Sequence, residues 1–482
     1  MNQPRLTLLE TQHRQLVDYL EGHPDGHERG AIVLFRRLHI PLSDLSDSDR
    51  YIAQEVIPFD ASWVRSSSRT HFDFKLQGLR NLFRRCEEEK LVFGFVHNHP
   101  MGQDSFSPMD DENERTLTTA IRNRNGKDVT FVAMLWAGGG WHARVRAGEY
   151  PETAIPVRHT IVTSQPLKIF GYQCSGNAHS EIHSRGAAAF GAAFVDKLKS
   201  LRVGVVGNGG TGSPLATLGA RAGFGEIVLI DDDELDGSNL NRVRGLHKKD
   251  VGAKKSKKLK EFIDGIGLTT KVTAIDAKVD QDPQALDALA SCDVVFGCTD
   301  DFVGRDVMNI ALYAYNQVLI DMGLGGRILE DSAGELNLRY HFGRISTILP
   351  EFGECLFCQD VIRDVWIQTQ MAKRVNPQLT QEEIQEKYLE DGGEGAPGVG
   401  PFTSATADFA LATLFDLLKP FRRYPPELRR DMFYVDFVKM ELSSHGTNSN
   451  PDCPYCRHRH FLLLKEQCRL QRPALGKRND YV

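Results

Sequence analysis

The sequence predicts an α+β domain followed by a doubly wound α/β domain that carries a zinc knuckle. Strand-like and helix-like segments mix in residues 1–150, strands and helices alternate in residues 179–350, and two CxxC pairs occur in the last third. Alternating strands and helices are typical of a parallel sheet covered on both faces. We therefore predict a first domain over residues 1–150, a connector over 151–178 and a second domain over 179–482.

Length and composition indicate an ordinary globular protein. A chain of 482 residues is long enough for two or three domains, each with its own core. The formal net charge of −6 argues against a general nucleic-acid or anionic-membrane binder. No apolar run is long enough to span a bilayer, and the polar N-terminus lacks the order of a signal peptide. We therefore expect a cytoplasmic protein with neither nucleic-acid nor membrane partners.

Apolar runs and helical periodicity define the elements of the first domain. Strands are predicted over Ala31–Phe35, Leu91–Val96 and Val129–Trp136, and a helix over Leu76–Glu89. The polar, acidic segment 43–50 is predicted to be a loop. Periodicity fades after residue 148, and three prolines are expected to break any regular element in the connector: Pro151, Pro156 and Pro166.

Two histidines close the Leu91–Val96 strand and predict a metal site. His97 and His99 are two residues apart, which places both imidazoles on one face of the strand. Ser107-Pro108-Met109-Asp110 has the composition of a helix start, which would hold Asp110 as a third ligand. Two histidines and one carboxylate leave the fourth zinc position open to water, which is a catalytic arrangement. The alternative is a capping box beside two surface histidines, but the combined spacing favours the metal.

The combined H-x-H-P and S-x-x-D pattern resembles the JAMM (MPN-type) metalloproteases, which cleave ubiquitin and related tails. The resemblance implies a glutamate near the first strand as general base. Glu28 immediately precedes that strand, and Glu55 is its competitor. In the implied mechanism zinc acidifies a water, Glu28 takes its proton and Ser107 hydrogen-bonds the developing oxyanion. Metal-free relatives of this fold serve as docking modules, which is the non-catalytic alternative.

A glycine-rich turn between two apolar strands predicts a Rossmann-like nucleotide site in the second domain. The turn follows the strand Val203–Val206, and a helix opens at Ser213-Pro214, so that its free N–H groups face a bound anion. The next strand, Glu226–Ile230, ends in three aspartates placed to hold a ribose hydroxyl. The predicted ligand residues of the two turns are Gly207, Gly209, Gly210, Gly212, Asp231 and Asp233.

One polar and two cationic residues after the acidic strand end favour ATP over a dinucleotide. Asn239, Arg242 and Lys255 suit the β- and γ-phosphates of ATP, whereas a nicotinamide ring has no use for them. Further along, the strand Val294–Phe296 runs towards Asp300, an acid placed to hold magnesium at a strand end.

These motifs together resemble the ThiF-like superfamily, the adenylating enzymes that activate ubiquitin and its bacterial relatives. The matching segments span roughly residues 179–460: GNGGTGS, the DDD strand end, SNLNR, VGAKK, CTDD and the two CxxC pairs. The resemblance implies that the glycines hold phosphate, Asp231 binds ribose, and Asp300 binds magnesium. It also implies that Arg242 and Lys255 neutralise charge on the reacting phosphates, with Lys254 able to exchange roles with Lys255.

The resemblance also implies an arginine that precedes the first strand and acts across a dimer interface. Arg185 is the nearest candidate, although its neighbours depart from the usual Arg-Gln pair. If Arg185 has this role, the protein is a homodimer.

Four cysteines in two CxxC pairs predict a closed, structural zinc site: Cys355, Cys358, Cys453 and Cys456. Four thiolates complete a tetrahedron and leave no position for substrate. A redox-active CxxC is the alternative, and the presence of two pairs argues against it.

The two domains together suggest a bifunctional enzyme of a bacterial ubiquitin-like pathway. The peptidase would trim a ubiquitin-like protein, or remove it from targets, and the second domain would adenylate its carboxylate with ATP and magnesium. The alternative is activation of a sulfur carrier, so the further partner is a ubiquitin-conjugating-type or a sulfur-transfer protein. Residues 359–452 contain no cysteine, which predicts that no enzyme thioester forms; Thr403 and Ser404 are hydroxyl candidates for a covalent adduct.

Overall fold

The computed structural model describes residues 3–39, 49–171, 181–376, 378, 398–447 and 450–457. It separates into two compact units, one made of the described residues up to 171 and the other of those from 181 onward. Within these residues, no helix combines the length and the apolar character that crossing a bilayer requires.

The first unit is built on a nine-stranded mixed sheet and a separate two-stranded sheet. Its strands are β1 (Arg5–Leu9), β2 (Gly30–His39), β3 (Asp49–Pro58), β4 (Val64–Ser68), β5 (His71–Phe74), β6 (Val92–Asn98), β7 (Thr130–Ala137), β8 (Gly140–Ala147), β9 (Tyr150–Pro156), β10 (Thr160–Thr163) and β11 (Lys168–Phe170). Its helices are α1 (Glu10–Glu21), α2 (Leu76–Glu88) and α3 (Pro108–Asn125). The large sheet has the order β11-β10-β1-β3-β2-β6-β7-β8-β9, and β4 pairs only with β5.

Both faces of the large sheet are covered, because alternate residues of its central strands point into different cores. Val33 of β2 packs in one core with Leu16 of α1. Ile32 packs in the other core with Leu79 of α2 and Leu117 of α3. The central strand β6 is therefore buried along its whole length, as its continuous apolar run predicts.

The segment expected to be an irregular connector contributes three strands to this sheet. Pro151 and Pro156 lie in β9, which is the edge strand next to β8. An edge position tolerates proline because the missing N–H is not needed by a neighbour on the open side. Thr160–Thr163 forms β10, whose residues are all buried beside β1. The expectation that the connector 151–178 contains no regular element is therefore corrected. Of the loop predicted at 43–50, residues 43–48 lie outside the described residues, and residues 49 and 50 begin β3.

The second unit is an α/β domain with an eight-stranded sheet. Its strands are β12 (Arg202–Val206), β13 (Glu226–Ile230), β14 (Lys271–Ile275), β15 (Val294–Gly297), β16 (Val318–Glu330), β17 (Leu336–Ile348), β18 (Met432–Asp436) and β19 (Glu441–Ser443). Its helices are α4 (Ser184–Phe190), α5 (Ala192–Ser200), α6 (Gly212–Ala222), α7 (Lys255–Gly265), α8 (Pro283–Ala290), α9 (Phe302–Ala314), α10 (Asp364–Val375) and α11 (Gly400–Leu418).

The topology of this sheet places a ligand site at the end of β12. The sheet order is β14-β13-β12-β15-β16-β17-β18-β19. Strands β13, β14, β15 and β16 all run parallel to β12. The chain winds outward from β12 to β14 and then crosses back to β15, so the strand order reverses between β12 and β15. In open α/β sheets, ligands bind at the carboxyl ends of the strands at such a reversal. The predicted Rossmann-like fold of this unit is confirmed.

Two helices in the C-terminal part, α10 and α11, differ from what the sequence predicts. The polar composition of residues 359–400 predicts an insertion, but this region contains α10, in which Ile367 is the buried residue. A helix with so little buried surface has no apolar stripe to reveal it in the sequence. The apolar run 405–418 predicts a buried helix; the structure shows it as α11, which begins earlier, at Gly400, with Pro401 in its first turn. The glycine-rich segment 392–395 predicts a loop and lies outside the described residues.

Candidate functional sites

The glycine-rich loop joins β12 to α6 at the carboxyl edge of the parallel strands. Gly207 has a φ of +89°, a region that favours glycine. A Cβ on Gly212 would lie 1.9 Å from the carbonyl oxygen of Gly207, so the turn leaves no room for a side chain there. A Cβ on Gly209 would meet no atom within 4 Å. Gly209 therefore borders open space before the first turn of α6, where N–H groups are available to an anion.

Asp231 is the first residue after β13 and is fixed by the backbone around it. Its carboxylate accepts hydrogen bonds from the N–H of Asn208 and, at 2.8 Å, from the N–H of Asp233. Burial raises the pKa of Asp231 to about 6. It lines an open cleft together with Gly207, where a carboxylate is a suitable acceptor for a ribose hydroxyl.

Lys255 and Lys254 have different partners. Nζ of Lys255 is 2.8 Å from Oδ2 of Asp233, and the lysine is buried while the aspartate is exposed. Nζ of Lys254 donates to the carbonyl oxygen of Asp232 at 2.8 Å and lies 3.6 Å from a carboxylate oxygen of Asp276. The structure thus brings Lys255 to the carboxylate of Asp233, whereas Lys254 contacts the backbone of Asp232.

Arg242 lies across the glycine loop. Its Nη1 donates to the carbonyl oxygen of Ser238 at 2.8 Å, and a Cβ on Gly210 would be 3.1 Å from its Cδ. Asn239 sits in the short turn before it, where its side-chain oxygen accepts from the N–H of Asp236 at 3.2 Å. Both predicted phosphate ligands therefore belong to one turn, which packs against the loop.

The open cleft collects four of the predicted residues: Gly207, Asp231, Asp233 and Asp300. Asp300 is exposed and follows β15, three residues beyond its last residue. The residues predicted to bind the triphosphate do not line this cleft: Asn239, Arg242 and Lys255. Lys255 adjoins it through its ion pair with Asp233.

Sequence reasoning missed the residues that α10 adds to this cleft. Gln370, Lys373 and Arg374 line it, together with Asp280 from the loop after β14. Arg374 is 94 residues from its partner Asp280. The consecutive basic residues 373 and 374 were the one local signal, and nothing near them in the chain indicates what they contact.

Arg185 lies on α4 and is exposed, and it is not among the residues that line the cleft. Its predicted role across a dimer interface stays a prediction.

The four knuckle cysteines converge as a closed thiolate site. Sγ of Cys355 is 3.5 Å from Sγ of Cys453, and Sγ of Cys358 is 3.8 Å from Sγ of Cys456. All four sulfur atoms lie within 4.8 Å of one another. A tetrahedral zinc with bonds of about 2.3 Å has sulfur–sulfur edges of about 3.8 Å, so these residues fit a structural zinc ion.

The knuckle packs on α9, the helix that begins beside the cleft. The Tyr455 hydroxyl donates to a carboxylate oxygen of Asp306 at 2.5 Å. The N–H of Leu356 donates to Oδ1 of Asn309 at 3.0 Å. The four-cysteine cluster therefore contacts the helix that follows Asp300.

His97, His99 and Asp110 come together in the first unit, at the end of β6 and the start of α3. Nε2 of His97 is 3.1 Å from Oδ1 of Asp110, and Nε2 of His99 is 3.3 Å from Oδ2. These edges match those of a tetrahedral zinc with bonds of about 2.0 Å. Nδ1 of His99 lies 2.9 Å from the carbonyl oxygen of Gln103, which fixes the proton there and leaves Nε2 to act as a ligand. Burial opposes the ionised carboxylate, but the two histidines hold the pKa of Asp110 well below its usual range.

The unsatisfied ring nitrogens of His97 support a metal at this position. His97 is 3% exposed, yet neither of its ring nitrogens makes a hydrogen bond within the described part of the chain. The close approach of Nε2 to Asp110 does not have hydrogen-bond geometry. A buried nitrogen without a donor or acceptor is unfavourable unless something else coordinates it, and a metal ion satisfies that need.

The structure separates the two candidate bases. Glu28 lines the cleft with the two histidines, because it precedes β2 and the first residue of β2, Gly30, pairs with His97. Burial raises the pKa of Glu28. Glu55 is ion-paired with Arg85 at 2.6 Å and is not among the residues of this cleft.

Ser107 also lines the histidine cleft but is already engaged. Its Oγ donates to Oδ2 of Asp110 at 2.7 Å, and it accepts from the N–H of Asp110 at 3.2 Å. The predicted oxyanion donor is thus the N-cap of α3, and it helps to hold the third ligand.

The two hydroxyl groups predicted as candidates for a covalent adduct, those of Thr403 and Ser404, both make hydrogen bonds. Thr403 is 2% exposed, and its Oγ1 donates to the carbonyl oxygen of Gly400 at 3.0 Å. Oγ of Ser404 accepts from Arg244 at 3.4 Å. Cys174 and Cys468 lie outside the described residues.

Comparison with known proteins bears on the second unit. The ThiF family model matches residues 183–455. The sulfur carrier protein ThiS adenylyltransferase of Escherichia coli is 34% identical over 28% of this chain and 54% of its own length. The SAMP-activating enzyme E1 of Haloferax volcanii is 36% identical over 23% of this chain and 42% of its own length. The heterocyst protein HesA of Trichormus variabilis is 22% identical over 55% of this chain and 84% of its own length. The chain thus spans about half the length of the first two relatives.

Proposed function

Because this chain belongs to the ThiF family, we propose that its second unit uses ATP to adenylate the C-terminal carboxylate of a ubiquitin-like protein. One observation carries this proposal: a glycine loop and the acids Asp231, Asp233 and Asp300 share one cleft at the point where the strand order reverses. A cleft of this kind suits a nucleotide, and the basic residues around it suit a triphosphate.

Each residue has a role in this reaction. The loop from Gly207 to Gly212 and the start of α6 bind phosphate oxygens, and Asp231 binds the ribose. Arg242 and Lys255 neutralise the negative charge that develops when a carboxylate approaches the α-phosphate. Asp300 would hold the magnesium ion, which polarises phosphate oxygens when it is bound.

Two classes of protein substrate fit this proposal. The relatives named above act, by their names, on the sulfur carrier ThiS and on SAMP. We favour a ubiquitin-like protein that is conjugated, with a ubiquitin-conjugating-type protein as the further partner. A sulfur carrier that passes to a sulfur-transfer partner is the second candidate, and the ThiS relative favours it.

We further propose that the first unit is a zinc peptidase of the JAMM type. His97, His99 and Asp110 would hold the zinc ion, which acidifies a bound water. Glu28 lines the same cleft and would take the proton from that water. The joint function is then to trim a ubiquitin-like tail, or to release it from a target, and to activate the exposed carboxylate. Presence of both activities in one chain raises the local concentration of the trimmed product.

A pair of variants tests the two activities separately. Asp300→Asn should stop ATP–pyrophosphate exchange stimulated by a ubiquitin-like protein and spare cleavage of a fusion placed after its tail. Glu28→Gln should lower cleavage by about 10²–10⁴-fold, as expected for a general base, and spare exchange. Glu55→Gln is the matched control, because this glutamate is a surface ion-pair partner of Arg85.

Different results would contradict the proposed ATP site of the second unit and the proposed peptidase of the first unit. Exchange that survives Asp300→Asn contradicts the assigned ATP site. Cleavage that survives Glu28→Gln but fails in Glu55→Gln contradicts the choice of base. A wild-type protein that cleaves no tail and retains no zinc at His97 contradicts the peptidase.

We also propose that the protein is a homodimer in which Arg185 acts on the partner's nucleotide. The exposed position of Arg185 on α4 makes it available to another chain. Light scattering measures the mass directly, and mixing Arg185→Ala with Asp300→Asn chains should restore exchange by complementation. A monomeric mass contradicts this proposal.

A further inference from the structure

Arg374 enters the nucleotide cleft from the last turn of α10. Its Nη1 lies 2.6 Å from Oδ2 of Asp280, and its Nη2 donates to Oδ2 of Asp301. Asp280 belongs to the loop after β14 and Asp301 to the loop after β15. One guanidinium therefore joins two loops that form a wall of the cleft. The Asp280 side chain has no exposed surface, and that of Arg374 is 22% exposed.

The cleft is acidic for a site that must hold a polyanion. Its charged lining consists of six aspartates and three cations: Asp231, Asp232, Asp233, Asp280, Asp300, Asp301, Lys278, Lys373 and Arg374. Arg374 contacts two of the six carboxylates. Because charges inside a partly buried cleft are poorly screened, each neutralised carboxylate reduces the repulsion that a triphosphate would meet.

The helix that carries Arg374 is fixed to the start of α9. The rings of Phe302 and Trp366 lie 5.2 Å apart between their centroids. Oε1 of Gln370 accepts from the N–H of Val303 at 3.2 Å. Gln370 and Arg374 are four residues apart, so they lie on the same face of α10. The guanidinium is therefore held in place from its own helix as well as by its two aspartates.

We propose that Arg374 is a positioning residue for ATP. It neutralises Asp280 and Asp301, and it holds the loops after β14 and β15 at the separation that the nucleotide requires. Its effect on ATP passes through these two aspartates. This inference rests on the proposed ATP-dependent function of the same cleft.

Direct titration of the full-length protein with ATP and magnesium, followed by calorimetry, tests the proposal. Arg374→Ala removes the positive charge that lies between Asp280 and Asp301 and should weaken ATP binding about tenfold. Arg374→Lys retains the charge and should recover most of the affinity. Adding Asp301→Asn to Arg374→Ala removes one uncompensated carboxylate and should also recover part of it. Lys260→Ala is the matched control, since it removes a cation from an exposed pair with Asp264 and should change nothing.

The results separate this inference from the function on which it rests. A wild-type protein that binds no ATP overturns the proposed adenylation. A wild-type protein that binds ATP, with Arg374→Ala binding equally well, overturns the positioning role. A loss in Arg374→Ala that neither the lysine nor the Asp301→Asn change recovers also overturns it, because a charge effect must respond to both. In exchange kinetics we expect KM for ATP to rise while kcat is retained.

Discussion

A pair of alanine substitutions in the glycine loop separates close packing from ligand clearance. In Gly212→Ala the new Cβ would lie 1.9 Å from the carbonyl oxygen of Gly207 and 3.3 Å from Cβ of Cys298. Backbone atoms provide the closer contact, so the loop itself must move. In Gly209→Ala the new Cβ would meet nothing within 4 Å, and Gly209 has no positive φ that a side chain would oppose.

The expected magnitudes follow from these distances. Overpacking typically destabilises by 1–3 kcal/mol, and a clash with backbone should lie near about 3 kcal/mol. For a domain of this size that is a fall of about 6 °C in Tm. Gly209→Ala should stay within about 0.5 kcal/mol of the wild type, as surface changes usually do. Its methyl group would nevertheless enter the space before α6 where we place the phosphates, so ATP binding should weaken.

Thermal unfolding monitored by circular dichroism, with and without ATP, distinguishes the two variants. We expect Gly212→Ala to melt early in both conditions, and Gly209→Ala to melt normally without ATP but to gain less from it. A wild-type Tm for Gly212→Ala would refute the clash. A full ATP-dependent rise in Tm for Gly209→Ala would refute the placement of the phosphates.

Three further predictions concern protons, metal and adducts. The pKa of Asp231 is raised to about 6, so ATP affinity should fall as pH drops through 6, and Asp231→Asn should flatten that profile. The pKa of Asp231 is lower in the unfolded chain than in the folded protein. The contribution of Asp231 to the free energy of unfolding should therefore decrease as pH rises from about 4 to about 6. Metal analysis should find two zinc ions per chain, of which replacement of His97 and His99 by alanine removes only the chelator-labile one. Incubation with ATP and a ubiquitin-like protein should give no reductant-sensitive adduct on the chain; one that maps to Cys174 or Cys468 would contradict the absence of a thioester.

The residues of the proposed nucleotide site could be predicted from the sequence because they lie next to strand ends. The strands predicted at 203–206, 226–230 and 294–296 are confirmed as β12, β13 and β15. In a parallel sheet all carboxyl ends lie on one edge, so Gly207, Asp231 and Asp300 had to meet there once the strands were identified. This prediction required neither the register between the strands nor the pairing of residues that are distant in the sequence.

The remaining features depend on contacts that no local pattern encodes. The pairing of Gly30 with His97 brings Glu28 to the histidines, and this pairing depends on the register between β2 and β6. The sequence favoured Glu28 over Glu55 only because of its place before a strand. The prolines at 151 and 156 suggested a connector, because the sequence does not show that β9 is an edge strand.

Arg374 shows why the charges that tune a site are harder to predict than the groups that bind the ligand. A ligand group at a strand end is fixed by the strand itself, and its position follows from the fold. Arg374 reaches the same cleft from a helix that buries little surface, and it contacts Asp280 and Asp301 across 94 and 73 residues of chain. A lysine or arginine at several positions on α10 or nearby could neutralise the aspartates of the cleft. The fold therefore requires a positive charge there, but not at one particular residue. The sequence therefore predicts the acids of the site directly, whereas it predicts only that some cation must neutralise them.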